Sequence, residues 1–215
     1  MWLHITYPKE LENIMKKKLL AIILLLSLTL SGCGESNQDE KLNKIAEKLA
    51  AQLEEQNFGK MAEFSERDKY YFTFETTTVD GETWNSDNFA NSKITMINVW
   101  GTYCNPCLAE MPFLGELAAE YDAAEFQVVG VVCDIMEGDS AENIDRAKVL
   151  IEETKAAYPH LLVNDSVNSS FMQVVSLVPT TFFVRSDGSL AGCIAGAMEK
   201  ESWKALIDDL LSKKK

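Results

Sequence analysis

The sequence predicts a three-layer α/β sandwich, a central sheet flanked by helices. Near-continuous apolar strands at Ile94 to Trp100 and Phe126 to Cys133 alternate with helical patterns, as strands covered on both faces do. The first of these strands runs through Gly101 into Cys104-Asn105-Pro106-Cys107, which opens a helix. The alternation continues to the last helix, Glu199 to Leu211.

The chain before this domain reads as export machinery. Met15-Lys16-Lys17-Lys18 is a basic n-region, and Leu19 to Leu30 is an uncharged h-region of secretory length. Such a run is too short to span a bilayer comfortably. Residues 1 to 32 are therefore expected to be a signal peptide. Met1 to Ile14 adds nothing that a signal peptide needs, which points to Met15 as the true start. Leu30-Ser31-Gly32-Cys33 resembles the bacterial lipobox, which implies lipidation of Cys33; an ordinary signal peptide with an incidental cysteine is the alternative.

Removing residues 1 to 32 leaves 16 basic against 31 acidic residues, a net charge of −15. That balance argues against nucleic acid as a partner and against electrostatic docking on anionic lipid. Acyl chains on Cys33 would then hold the protein at the extracytoplasmic face of the bacterial membrane. With Cys33 set aside, four cysteines remain, and only one pair is close in sequence, in keeping with export.

Residues 33 to 67 form the tether and an added helix. Gly34 to Glu40 is small and polar. From Lys41 to Gln56, Leu42, Ile45, Leu49 and Leu53, with Ala46 and Ala50, recur at helical steps. This amphipathic helix either packs on the domain or receives a partner.

Residues 68 to 215 suit one domain. Strands are expected at Tyr70 to Thr76, near Thr83-Trp84 after the turn Val79 to Glu82, and at Ile94 to Trp100. A helix follows from Pro106 to Tyr121, then a strand from Phe126 to Cys133 and a helix from Ala141 to Ala157. His160 to Val163 precedes a short helix around Asn168 to Val175, the run Val178 to Val184, a turn at Ser186-Asp187-Gly188 and a strand from Leu190 to Ala195.

The chemistry concentrates at Cys104 and Cys107. Two intervening residues bring both sulfurs onto the first helical turn, where a disulfide can close. Free amide donors and the positive end of the helix dipole favour thiolate at Cys104. Pro106 suits the first turn, where its missing N–H costs little. The strand, dithiol, helix order reads as a redox site. A structural zinc site would need two more ligands at short spacing, and Cys133, His160 and Cys193 stand alone. A Cu(I) carrier would also use two thiolates, with Met111 and His160 as weak further ligands. The Pro-x-x-x-Thr-x-x-Cys pattern of a peroxiredoxin is absent.

Three segments, Trp100-Gly101-Thr102-Tyr103-Cys104-Asn105-Pro106-Cys107, Val178-Pro179-Thr180-Thr181-Phe182-Phe183 before a Ser-Asp-Gly turn, and the closing helix, resemble the membrane-anchored TlpA/ResA type of thioredoxin-fold protein. The resemblance covers about Tyr70 to Leu211 and implies a thioredoxin-like sandwich with a mixed sheet. It also implies a cis Pro179 beside the dithiol, with the backbone of Val178 free to pair with an extended substrate segment. Thioredoxins usually carry a buried Asp six residues before the first active-site cysteine, where Asn98 stands here. The TlpA/ResA type instead has a glutamate three residues after the second cysteine, which is Glu110. A helical i to i+3 step places it beside Cys107 to assist deprotonation, although geometry alone leaves Glu110 a surface-facing helix residue.

The same resemblance implies a thiol–disulfide oxidoreductase that reduces protein disulfides without metal or organic cofactor, supplied with electrons by a membrane thiol donor. Candidate clients are apocytochrome c, a methionine sulfoxide reductase or a peroxidase. A disulfide-forming oxidant on the same scaffold is the alternative, disfavoured because nothing near Asn105-Pro106 in sequence adds positive charge. Tyr103 is expected to shape the substrate surface, and Trp100 and His160 to be structural. Cys133 and Cys193 read as small core residues. In the family's sheet order they lie three strands apart, about 14 Å, beyond the roughly 7 Å between Cα atoms that a disulfide spans.

Overall fold

The computed structural model describes residues 37–54, 61–63 and 69–213. The expected signal peptide, Cys33 and the start of the tether lie outside the described residues. The described residues from Lys41 on belong to one compact unit. Among the described residues no helix is long and apolar enough to cross a membrane.

The elements, in chain order, are α1 (Asn37–Glu54), β1 (Ala62–Glu63), β2 (Glu75–Thr77), β3 (Thr83–Asn85), β4 (Ile94–Trp100), α2 (Asn105–Glu120) and β5 (Phe126–Met136). Then come α3 (Ala141–Glu153), β6 (His160–Val163), α4 (Asp165–Ser170), β7 (Thr180–Arg185), β8 (Leu190–Ala195) and α5 (Lys200–Ser212). Six strands form a mixed sheet in the order β1-β8-β7-β4-β5-β6. The β4, β5 and β6 strands run parallel, and β4/β7, β7/β8 and β8/β1 are antiparallel. Every residue of β4 is buried, so this central strand is covered on both faces.

Two apolar clusters cover the sheet. One gathers α2, α3 and α5 through Leu114, Leu117, Ala147, Trp203 and Ile207. The other gathers Leu42, Ile45 and Leu49 of α1 with Phe72, Phe74, Phe171 and Phe182. The α1 stripe thus belongs to the core, and Ile45 is fully buried. Helix α1 starts at Asn37, inside the expected tether, because Asp39 and Glu40 favour the positive end of a helix.

Other departures from the sequence reading have local causes. Tyr70, Phe72, Phe74 and Thr76 are buried and alternate as in a strand, yet only Glu75–Thr77 pairs in a ladder. The backbone before it makes one antiparallel bridge beside the start of β8, Tyr71 opposite Ser189 with Leu190 N–H on Tyr70 O at 2.8 Å and Phe72 N–H on Gly188 O at 2.9 Å, and then bonds a hydroxyl, Phe74 N–H on Ser86 Oγ at 2.7 Å. Helix α3 stops at Glu153, short of Ala157, because Lys155 takes the left-handed conformation at φ 55°. The short helix expected around Asn168 to Val175 begins at Asp165, since the Asn164 side chain accepts from Val167 N–H, and a 3-10 turn, Met172–Val174, follows. Strand β5 continues past Cys133 to Met136 through an irregularity in its pairing with β6.

Candidate redox site

Strand β4 delivers the site. After Trp100 the chain turns, Cys104 N–H bonding Gly101 O at 3.0 Å, and Cys104 becomes the N-cap of α2. Its sulfur accepts the N–H of Cys107 at 3.3 Å. Pro106 occupies the first turn, where no intrahelical donor is lost. Cys104 and Cys107 form a disulfide with Cα atoms 5.3 Å apart.

Cys104 is only 5% exposed. The N-cap role turns its side chain back over the first turn rather than out to solvent. Cys107 is fully buried, while Asn105 and Pro106 between them are exposed. Tyr103, 68% exposed, stands beside them. The loop before the dithiol is tied to β5 and α3. Thr102 donates from its N–H to Asp134 Oδ1 at 3.0 Å and from its hydroxyl to Oδ2 at 2.5 Å, and Arg146 donates to Thr102 Oγ1. Arg146 also pairs with Asp134 at 3.4 Å.

Glu110 carries the largest departure at the site. The surface-facing carboxylate that helix geometry allowed is 2% exposed. Its Oε1 accepts from Asn98 Nδ2 at 2.9 Å, and its Oε2 accepts from Met198 N–H at 3.2 Å and Trp203 Nε1 at 3.3 Å. Burial pushes its pKa up to about 7, against these three donors, which pull it down. A cleft of about 460 Å³, lined also by Pro106, Phe113, Met198 and Ser202, reaches the residue. Asn98 and Glu110 are thus in direct contact, and a carboxyl group able to carry a proton near neutral pH stands one helical turn from Cys107.

The Val178-Pro179 peptide is cis. Val178 packs against the cluster that holds Cys104 and Cys107, and Pro179 is buried. Among the described residues, neither the N–H nor the C=O of Val178 is hydrogen-bonded; the neighbouring Leu177 O accepts from Thr180 Oγ1, and Pro179 O accepts from Gly196 N–H.

The remaining candidates are apart from this chemistry. His160 is buried with both ring nitrogens engaged, Nδ1 accepting from Trp100 Nε1 at 3.1 Å and Nε2 lying 3.0 Å from Ala156 O. Burial brings its pKa down to about 4. Met111 is fully buried. Cys133 on β5 and Cys193 on β8 are separated by β4 and β7, and no disulfide joins them. Burial pushes Cys193 up to about 12. Cys133 is less enclosed than a core residue, with Tyr103 Oη 3.8 Å from its sulfur.

Sequence reasoning did not find Trp203, Met198 or Thr181 around Glu110, nor Asp134 and Arg146 around Thr102. Their separations of 12 to 93 residues leave no spacing signal.

Comparison with known proteins matches this architecture. The chain is 28% identical over 120 residues to the thiol-disulfide oxidoreductase ResA of Oceanobacillus iheyensis, covering 55% of this chain and 57% of that protein. It is 28% identical over 135 residues to the thioredoxin-like protein YneN of Bacillus subtilis, covering 63% and 75%. The chain therefore spans less than two thirds of the length of that ResA relative. Among solved structures, a thioredoxin-family thiol:disulfide interchange protein from Chlorobium tepidum aligns with a TM-score of 0.57 at 20% identity, over 66% of this chain and 96% of that one. A secreted thiol-disulfide isomerase from Corynebacterium glutamicum aligns with a TM-score of 0.59 at 18% identity, over 71% and 92%. At such identities the structures speak to the fold, which is thioredoxin-like. The AhpC/TSA family model matches residues 69–192, more than half of the sequence and all of the dithiol site, and the chain belongs to that family.

Proposed function

We propose that this chain is a lipid-anchored, extracytoplasmic thiol–disulfide oxidoreductase that reduces protein disulfides. The observation that carries the reading is the Cys104–Cys107 disulfide at the start of α2, with a backbone N–H directed at the Cys104 sulfur. That donor and the helix dipole favour a Cys104 thiolate once the bond is reduced.

In the reduced protein the Cys104 thiolate attacks one sulfur of a substrate disulfide. The substrate S–S bond breaks, its other sulfur leaves as a thiolate and takes a proton, and a mixed disulfide joins substrate to Cys104. Cys107 then gives its proton to Glu110, and its thiolate attacks the Cys104 sulfur. The second substrate sulfur leaves and is protonated as Glu110 gives up the proton it received, which restores the carboxylate. Two electrons and two protons have passed to the substrate, and the Cys104–Cys107 bond has closed. A membrane thiol donor returns both electrons.

Tyr103 and the free backbone of Val178, next to Pro179, form the seat for an extended client segment. Arg146, the cation at the Thr102 loop, is paired with Asp134, which leaves little unbalanced positive charge to stabilise the reduced thiolate. This favours reduction over oxidation of clients such as apocytochrome c, a methionine sulfoxide reductase or a peroxidase. Cys33, with a lipid anchor, would keep the domain at the extracytoplasmic face of the cell membrane.

Equilibration of the dithiol against glutathione and dithiothreitol tests the direction. The reading predicts a potential below about −200 mV, and a value near the roughly −120 mV of a strong oxidant would reverse it. Capture of clients by Cys107→Ser, which should retain the mixed disulfide, would identify them by mass spectrometry.

A further inference from the structure

Every protein group bonded to the Glu110 carboxyl is a donor: Asn98 Nδ2, Met198 N–H and Trp203 Nε1. A carboxylate can accept all three. A carboxylic acid also brings an O–H of its own, which needs an acceptor. If Glu110 takes a proton from Cys107, as the oxidoreductase reading requires, donors alone serve only one of its two forms.

Two buried oxygens among the described residues have no hydrogen-bond partner in the protein, Asn98 Oδ1 and Tyr158 Oη. Both border Glu110. Asn98 holds its carboxyl directly, and the pKa of the Tyr158 hydroxyl is raised by burial and, next, by the charge of Glu110. Sheet register and ring stacking connect the two residues. Asn98 lies in one row with Thr181 on β7, Gly130 on β5 and His160 on β6. Its Nδ2 is committed to Thr181 Oγ1 at 3.1 Å, so Oδ1 turns to the Gly130 side. A Cβ on Gly130 would stand 2.3 Å from His160 Nδ1, so the imidazole occupies the room that glycine leaves. Tyr158 stacks on that ring with centroids 4.5 Å apart.

We propose that Asn98 Oδ1 and Tyr158 Oη hold a buried water bridge to Glu110, which makes Tyr158 a positioning residue for the Glu110 proton. The bridging water accepts from the Tyr158 hydroxyl and donates to Asn98 Oδ1 and to the carboxylate, the three hydrogen bonds usual for buried water. When Glu110 is protonated the water turns, accepts from the acid O–H, and donates to Asn98 Oδ1 and Tyr158 Oη. The other titratable groups around Glu110 are the dithiol, His160 behind Tyr158, and Glu199 in the cleft wall. None is cationic at neutral pH, so the water bridge is the adjustable element.

The proposal rests on the function assigned to Glu110 above, and its test does not. In the oxidised full-length protein, where the dithiol cannot titrate, Glu110 is followed by carboxyl-carbon NMR across pH, with Glu110→Gln assigning the signal. Tyr158→Phe keeps the ring and removes only the hydroxyl. The titration of Glu110 should rise by about one unit, because both forms lose the bridge and its hydrogen bond to the charged carboxylate is the stronger. The thermal midpoint at pH 8 should fall, because the bridge to Asn98 is lost. An unmoved or lowered titration overturns the proposal. So does a raised midpoint, the signature of deleting a hydroxyl that had no partner. A wild-type protein that leaves client disulfides intact would remove the oxidoreductase reading and leave this result standing.

Discussion

Asn98 on β4 donates from Nδ2 to Glu110 Oε1 on α2 across 2.9 Å, and both residues are buried. This bond joins the central strand to the helix that begins with the dithiol. It also explains why an acidic residue in the second turn of that helix faces inward. A buried carboxyl held near pH 7 can take and return a proton under ordinary conditions, which a solvated glutamate does poorly.

Glu110→Gln should slow disulfide reduction by on the order of 10²-fold at neutral pH, because Cys107 loses the base that receives its proton. The loss should shrink as pH rises, because hydroxide increasingly replaces Glu110 as the base. Insulin reduction followed across pH checks this. Equal rates at every pH would leave Glu110 a structural residue.

The same substitution changes how stability depends on pH. The Glu110 pKa rises from 4.5 in the unfolded chain to about 7, so its stabilising share is complete below pH 4.5 and is lost as pH rises through 7. Wild type should lose on the order of 3 kcal/mol relative to Glu110→Gln between these limits. His160 works in the opposite sense, its contribution being present above pH 6.5 and lost as pH falls through about 4. That slope is common to both proteins and cancels in their difference. Paired urea unfolding at pH 4.5, 6 and 8 measures the gap, and a constant gap would contradict the burial of a titrating carboxyl.

Ile45→Ala should destabilise the domain by about 2–5 kcal/mol, the range for a fully buried aliphatic side chain. The shift in denaturation midpoint with an unchanged slope reports it. A neutral result would detach α1 from the core.

Cys33→Ala should abolish lipidation and release the protein from the membrane fraction. A lipoprotein anchor carries more than one acyl chain, and the acidic domain offers no electrostatic substitute. Fractionation and the mass of the mature N-terminus decide this, and an unlipidated wild-type terminus would refute the anchor.

Much of this was legible in the sequence because the signals were local. The β4 run, the Cys-x-x-Cys helix start and the Val-Pro-Thr-Thr segment each lie within a few residues, so periodicity and spacing located the first two and the family resemblance the third. The Glu110 environment was not. Spacing alone made it a surface residue, whereas its partners Trp203 and Met198 arrive from α5 and the loop before it, 88 to 93 residues away. Tyr70 to Thr76 misled in part for a related reason: its alternation reports burial along the whole segment, whereas only its two ends pair with strands.

The central claim is that Cys104 attacks and Cys107 resolves. Reacting reduced Cys107→Ser and Cys104→Ser with a disulfide probe, and locating the adduct by peptide mass mapping, tests it most directly. The account predicts one stable mixed disulfide on Cys104 in Cys107→Ser, and none at comparable rate in Cys104→Ser. Rapid adduct formation on Cys107, or on Cys133 beneath Tyr103, would contradict it.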